Sequence, residues 1–174
     1  IGYLMQGMGL PPLVDYSLAS RYMAFDVRKC RWSEEILSAA NLSSDLLPQA
    51  VPAGTVAGRL GEAVAEEFGL REGTLVAIGG HDQPWGALGV GVIETGMVAD
   101  SMGTYECLLA VGDEPSLGPK SLAHSLNSYC HVVPDKYATL AFFPSGIMVK
   151  WCCDTICAVD APEAAAKGQD IYTY

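Results

Sequence analysis

One short stretch constrains the fold more than any other. Thr74-Leu75-Val76-Ala77-Ile78 is an apolar run of strand length that stops at two glycines, and Asp82-Gln83-Pro84-Trp85-Gly86-Ala87-Leu88-Gly89-Val90-Gly91 follows with helical character. An apolar run flanked by helices is typical of a buried parallel strand, whose two faces must both be covered. The pattern predicts Asp82 as the N-cap of the helix, with Pro84 in the first turn, where a missing N–H costs little. Gly86 and Gly89 suggest close packing along that helix.

The flanking segments read as follows. Residues 11–27 are turn-rich, and Asp15-Tyr16-Ser17-Leu18-Ala19-Ser20-Arg21 gathers several hydrogen-bonding side chains. Trp32-Ser33-Glu34-Glu35-Ile36-Leu37 predicts a helix capped by Ser33, with two acids in its first turn and Trp32 able to staple onto Leu37. That helix should end near Asn41, and a second is expected over 61–68, stopped by Gly69. Strands are expected near 97–101 and 106–111 around the turn Met102-Gly103-Thr104, and near 126–133 and 137–143 around Pro134-Asp135-Lys136. From Ser145 onward, Ile147, Met148, Trp151, Cys152, Thr155 and Ile156 recur on one helical face, with Lys150 and Asp154 able to pair on the other.

The 174 residues, 50% apolar and 17% charged, suffice for the core of one domain or two small ones. Ten Lys and Arg against twenty Asp and Glu give a formal charge of −10, which repels nucleic acid and anionic membranes, and no local basic patch overrides it. The opening Ile1-Gly2-Tyr3-Leu4-Met5 lacks the basic start of a signal peptide, and no apolar run is long enough to span a bilayer. A cytoplasmic protein with no nucleic-acid or membrane partner is therefore expected. Cys30, Cys107, Cys130, Cys152, Cys153 and Cys157 show no CxxC pair and no paired-His spacing, so the expectation is reduced core thiols and no protein-built metal site. The chain starts without a methionine and stops just after a helix-like run at 161–167, which reads as a piece of something longer.

Asp82 carries the chemistry. Taken alone, a carboxylate at a helix start is an N-cap and needs no substrate. The same position keeps it ionised, and Gly79-Gly80 let a ligand approach the backbone, so it can accept a hydroxyl proton while Gln83 holds a second hydroxyl. A carboxylate of ordinary pKa, about 4, is a weak base for an alcohol at neutral pH. Phosphoryl transfer tolerates a weak base, because its loose transition state strips the hydroxyl proton late. The turn at Gly103-Thr104 could offer N–H groups and one hydroxyl to phosphate, and Ser145-Gly146 at the start of a helix is a third candidate for anion binding.

Gly79-Gly80-His81-Asp82-Gln83, then Asp100-Ser101-Met102-Gly103-Thr104, then Pro144-Ser145-Gly146 opening a helix with Lys150-Trp151, together resemble the FGGY family of carbohydrate kinases, of the xylulokinase-like kind. The run from Asp15 to Arg21, with Phe25-Asp26 and Trp32-Ser33, resembles the segment that precedes that family's catalytic aspartate. The resemblance implies an α/β, ribonuclease H-like fold of two lobes, of the actin and hexokinase type, with sugar and ATP meeting in the cleft. It assigns residues 1–91 to the end of the N-terminal lobe and residues 92–174 to the start of the C-terminal lobe. It makes Asp82 the catalytic base, Asp82 and Gln83 substrate contacts, and Gly103, Thr104 and Gly146 nucleotide contacts. His81 stands where many relatives have glycine or alanine, and Lys150 where some have glutamine near the nucleotide.

The implied reaction is ATP- and Mg2+-dependent phosphorylation of a sugar or polyol hydroxyl, and a homodimer is among the assemblies the resemblance admits. The family's first phosphate loop, of the Asp-x-Gly-Thr type, and its later adenosine segment are absent here, so the 174 residues alone are expected to be inactive. An alternative is a non-catalytic sugar-binding or interaction module derived from the same fold. A dinucleotide-dependent oxidoreductase fits poorly, since Gly86, Gly89 and Gly91 fall within or after the helix and not between strand and helix.

Overall fold

The computed structural model describes residues 2–174. Helix α1 (Gly2–Gly7) leads into β1 (Leu13–Asp15) and the single-turn α2 (Tyr16–Ala19), after which β2 (Phe25–Asp26) and β3 (Arg31–Trp32) pair antiparallel ahead of α3 (Glu34–Ala39). Next come β4 (Gln49–Val51), β5 (Val56–Arg59), α4 (Glu62–Glu67), β6 (Leu75–Ala77) and α5 (Asp82–Gly89). Then follow β7 (Val98–Met102), β8 (Tyr105–Gly112), α6 (Pro119–Ala123), β9 (Asn127–Cys130), β10 (Tyr137–Pro144), α7 (Gly146–Thr155) and α8 (Ala161–Ala166). One sheet has the strand order β7-β8-β10-β9. The chain divides into two units, Ile1–Ala99 with Leu109–Leu140, and Asp100–Leu108 with Ala141–Tyr174.

In the first unit β1 is buried along its whole length and pairs in parallel with β4, in the register Leu13↔Gln49, Val14↔Ala50 and Asp15↔Val51. Successive strand residues face opposite ways. Leu13 therefore joins one cluster with Met5, Leu10, Val51 and Ile78, while Val14 joins another with Ala19, Phe25, Val27 and Cys130. Burying each of these large aliphatic side chains contributes about 1.5–3 kcal/mol. The parallel strand expected at 74–78 is thus found sixty residues earlier, inside a segment that reads as turn-rich. β6 runs antiparallel to β5 across a register shift between Val56 and Gly58, and Leu75 stays 54% exposed. Among the described residues β5 is its one strand neighbour, and an apolar run alone cannot distinguish a covered strand from a half-covered one.

Local signals fare better. Ser33 Oγ accepts the Ile36 N–H at 3.3 Å, α3 stops at Ala39, and Asn41 turns the chain with φ 54°. Gly61 and Phe68 bracket α4, and Gly69 follows with φ 65°. β9 and β10 form the expected hairpin, from Tyr137↔Cys130 to Leu140↔Asn127, with Asp135 at φ 58° in the turn. Gly86 and Gly89, expected at close contacts, face open space among the described residues: a Cβ at either would touch nothing. Of the cysteines, Cys107 and Cys130 are buried and the other four half-buried. Burial pushes the Cys130 thiol up to about 12, which keeps it protonated 3.9 Å from Cys30 Sγ.

In the second unit the turn between β7 and β8 is tied to the start of α7. Gly146 N–H donates to Gly103 O at 3.0 Å and Ile147 N–H to Thr104 O at 3.1 Å. A Cβ on Gly146 would lie 2.7 Å from the Gly103 carbonyl oxygen, so only glycine permits this approach. Lys150 Nζ meets Asp154 Oδ2 at 2.6 Å, as the spacing predicts. The apolar face of α7 has the expected period, yet none of its residues is buried among the described residues. No described helix is long and apolar enough to cross a membrane.

Replacing Gly146 by Ala should destabilise this unit by about 1–3 kcal/mol, since the methyl must displace a backbone carbonyl. Faster amide hydrogen exchange at Ile147 than in the unsubstituted chain is the expected readout.

Candidate active site

The site begins at the C-terminal end of β1. Asp15 is 1% exposed and caps α2, its Oδ2 accepting the Ser17 N–H at 2.8 Å and its Oδ1 the Leu18 N–H at 3.1 Å. The Ser17 hydroxyl donates to Asp15 Oδ2 and in turn accepts the backbone N–H of His81 at 2.8 Å. This chain of bonds fixes the point where the segment after β6 turns into α5. Gly80 lies in the angle: a Cβ there would come within 2.6 Å of Trp85 Nε1, 2.7 Å of Asp15 Oδ2 and 2.8 Å of Ser17 Oγ. Ile78 anchors the turn from the other side, exchanging backbone bonds of 2.8 Å with Gly54 and Thr55.

The cap of α5 falls one residue before the expected position. His81, not Asp82, has the extended cap backbone (φ −66°, ψ 134°), and Asp82 is the first helical residue. The physical reason lies in how the turn before α5 is packed: the His81 N–H bonds Ser17 Oγ and Gly80 lies close against Asp15, Ser17 and Trp85, which leaves His81 as the extended residue. The Gln83 N–H lies 3.1 Å from His81 Nδ1 and 2.9 Å from Asp82 Oδ1, and His81 Nδ1 is itself 3.1 Å from that oxygen. Asp82 remains 85% exposed at its side chain, and among the described residues its Oδ2 takes no hydrogen bond. It is therefore an open carboxylate at the positive end of a helix. Gln83 is half-buried, and among the described residues its side-chain amide is unengaged.

His81 is 5% exposed, with Nε2 2.6 Å from Arg21 NH1 and its ring 5.5 Å from that of Tyr129. Burial lowers its pKa and Arg21 lowers it further, against the opposing pull of Asp82 and Asp15. Arg21 also stacks over Tyr129 at 5.9 Å. The parts of Asp15, Ser17 and Arg21 were signalled in sequence only as a gathering of polar side chains; that they converge on His81, 64 positions beyond Ser17, was not visible.

Gly103, Thr104 and Gly146 come together in the second unit, in the turn and helix start already described. Their donors are largely committed: Gly103 N–H bonds Tyr105 O at 3.0 Å, and the Gly146 and Ile147 N–H groups bond the turn's carbonyls. Of the donors expected here, those of Gly103 and Gly146 are spent within the chain, while the Thr104 N–H takes no backbone acceptor among the described residues. That N–H, the exposed Thr104 side chain and a backbone uncovered by side chain at Gly103 remain for a phosphate. Lys150, exposed to solvent, is drawn to Asp154, which raises its pKa. No group of three or more His, Cys, Asp or Glu able to hold a metal occurs among the described residues.

The fold matches that of solved sugar kinases, whose architecture is of the actin and hexokinase type. A xylulose kinase from Lactobacillus acidophilus superposes with TM-score 0.81 at 20% identity, over 93% of this chain and 32% of that one. The corresponding enzyme from Brucella ovis gives 0.77 at 25% identity, over 89% and 32%. The profile described as FGGY family of carbohydrate kinases, N-terminal domain, matches residues 2–89, and the chain belongs to the FGGY family. The autoinducer-2 kinase of Enterobacter sp. (strain 638) is 32% identical over 165 residues. Those residues are 91% of this chain and 30% of that protein, so the chain spans about a third of the length of the relatives it matches.

Substituting Gly80 by Ala should cost about 1–3 kcal/mol and displace the Asp15–Ser17 pair. A lowered urea midpoint, with chemical-shift changes at the His81 amide, would report it; an unchanged midpoint would mean that the contacts yield freely.

Proposed function

We propose that this chain is part of an ATP-dependent carbohydrate kinase in which Asp82 is the general base. The observation that carries the reading is the state of that carboxylate: one oxygen engaged beside the helix N-terminus, the other open, on a side chain 85% exposed. A sugar or polyol hydroxyl donating to Oδ2 loses its proton to that oxygen as its own oxygen bonds to the γ-phosphorus of ATP, while the bond from that phosphorus to the bridging oxygen breaks and ADP leaves with the electron pair. ATP is the substrate that supplies the phosphoryl group. Residues 1–91 belong, on this reading, to the N-terminal lobe and 92–174 to the C-terminal lobe. Gln83 is the second contact to the sugar, with an amide that can donate and accept.

Thr104, Gly103 and Gly146 are the proposed nucleotide contacts. With the Gly103 and Gly146 N–H groups bonded internally, the two glycines act by leaving the backbone uncovered, and Thr104 acts through its hydroxyl and its own N–H. Mg2+ commonly binds through one or two carboxylates and the substrate phosphates, so a dedicated cluster on this chain is not needed. The protein is assigned to the cytoplasm, where ATP and sugar meet, and its partners are small molecules.

In the full-length protein, Asp82→Asn should lower sugar phosphorylation by about 10²–10⁴-fold while leaving nucleotide binding intact. Full activity in that variant would refute the role. A thermal-shift panel including xylulose, autoinducer-2 and simple polyols, with and without Mg-ATP, should show stabilisation by the true acceptor, and the Gln83→Ala variant should lose that shift.

A further inference from the structure

Arg21 has no lone pair to offer, so a contact of 2.6 Å between its NH1 and His81 Nε2 requires the ring nitrogen to be the acceptor. The ring is almost fully buried and faces a guanidinium, conditions under which it stays neutral and carries a single proton. That proton is then on Nδ1. A protonated Nδ1 cannot accept from the Gln83 N–H, although the two are 3.1 Å apart; in that tautomer the acceptor beside it is Asp82 Oδ1, also 3.1 Å away. The Gln83 N–H turns to the same oxygen at 2.9 Å. Oδ1 thus receives two donors from fixed groups. The ring is held by Tyr129 on its face and through its own backbone by Ser17.

We propose that His81, in the Nδ1–H form selected by Arg21, is the positioning residue that holds the Asp82 carboxylate with Oδ2 directed to the substrate hydroxyl. An unrestrained carboxylate this exposed would spread over several rotamers, and a misplaced base is costly to the reaction. The inference rests on the reading of Asp82 as the base.

The test uses the full-length protein. Removing the ring donor in His81→Leu should lower kcat by about 10- to 100-fold with the sugar KM nearly unchanged. His81→Asn, whose amide N–H can stand close to the Nδ1 position, should recover most of that loss. Long-range proton–nitrogen NMR of the unsubstituted protein, labelled at histidine, should find the proton on Nδ1. A proton on Nε2 would overturn the inference without any variant. So would a His81→Leu enzyme with normal kcat, or one whose defect lies wholly in KM, which would place the ring against the sugar. If Asp82→Asn remains active, the base reading itself fails; if Asp82→Asn is inactive and His81→Leu is normal, the positioning role alone fails.

Discussion

The first unit is organised around one buried carboxylate. Asp15 ends the parallel strand β1, caps α2 and accepts the Ser17 hydroxyl, so three donors compensate its removal from water. Because that hydroxyl is spent as a donor, its oxygen is left as an acceptor, and the His81 N–H takes it. The absence of a side chain at Gly80 lets the two segments approach closely enough for the bond to form. An apolar residue at position 15 would leave the first N–H groups of α2 unsatisfied and would remove the group that orients Ser17.

Much of the local structure could be read from residue types. Caps, positive-φ turns and helix stops at Ser33, Asn41 and Gly69 depend on chemistry within a few residues, and the elements they bound match expectation to within a residue or two. Pairing was less legible. The buried parallel strand is only three residues long, too short for a periodic signal, whereas the conspicuous apolar run at 74–78 pairs antiparallel and half-exposed. Helix termini near the site were misjudged for a related reason. Asp82 has the stronger intrinsic preference for the cap position, but the turn packed against Asp15 and Ser17 leaves His81 there, its N–H bonded to Ser17 Oγ.

The candidate site shows the same division. Asp82 and its glycines stood out because the residue types and their order carry chemistry. Gly103 and Gly146 looked like free donors in sequence; in the structure the Gly103 N–H closes the turn on Tyr105 O, and the Gly146 N–H joins the helix start to the Gly103 carbonyl. Glycine there serves a close backbone approach. A glycine in a phosphate-like motif therefore has two distinct explanations, and the 2.7 Å separation at Gly146 shows that the structural one suffices for that position.

The bond between Ser17 and His81 joins residues 64 positions apart, and that from the Cys130 N–H to the Ser20 hydroxyl spans 110. Both close large loops, whose entropy must be met before either bond forms. The surroundings of Asp82 therefore depend on contacts between residues far apart in sequence. A chain that has made all its helices but has not yet brought α2 to the start of α5 carries the same aspartate in an ordinary helix terminus, without the neighbours that distinguish it.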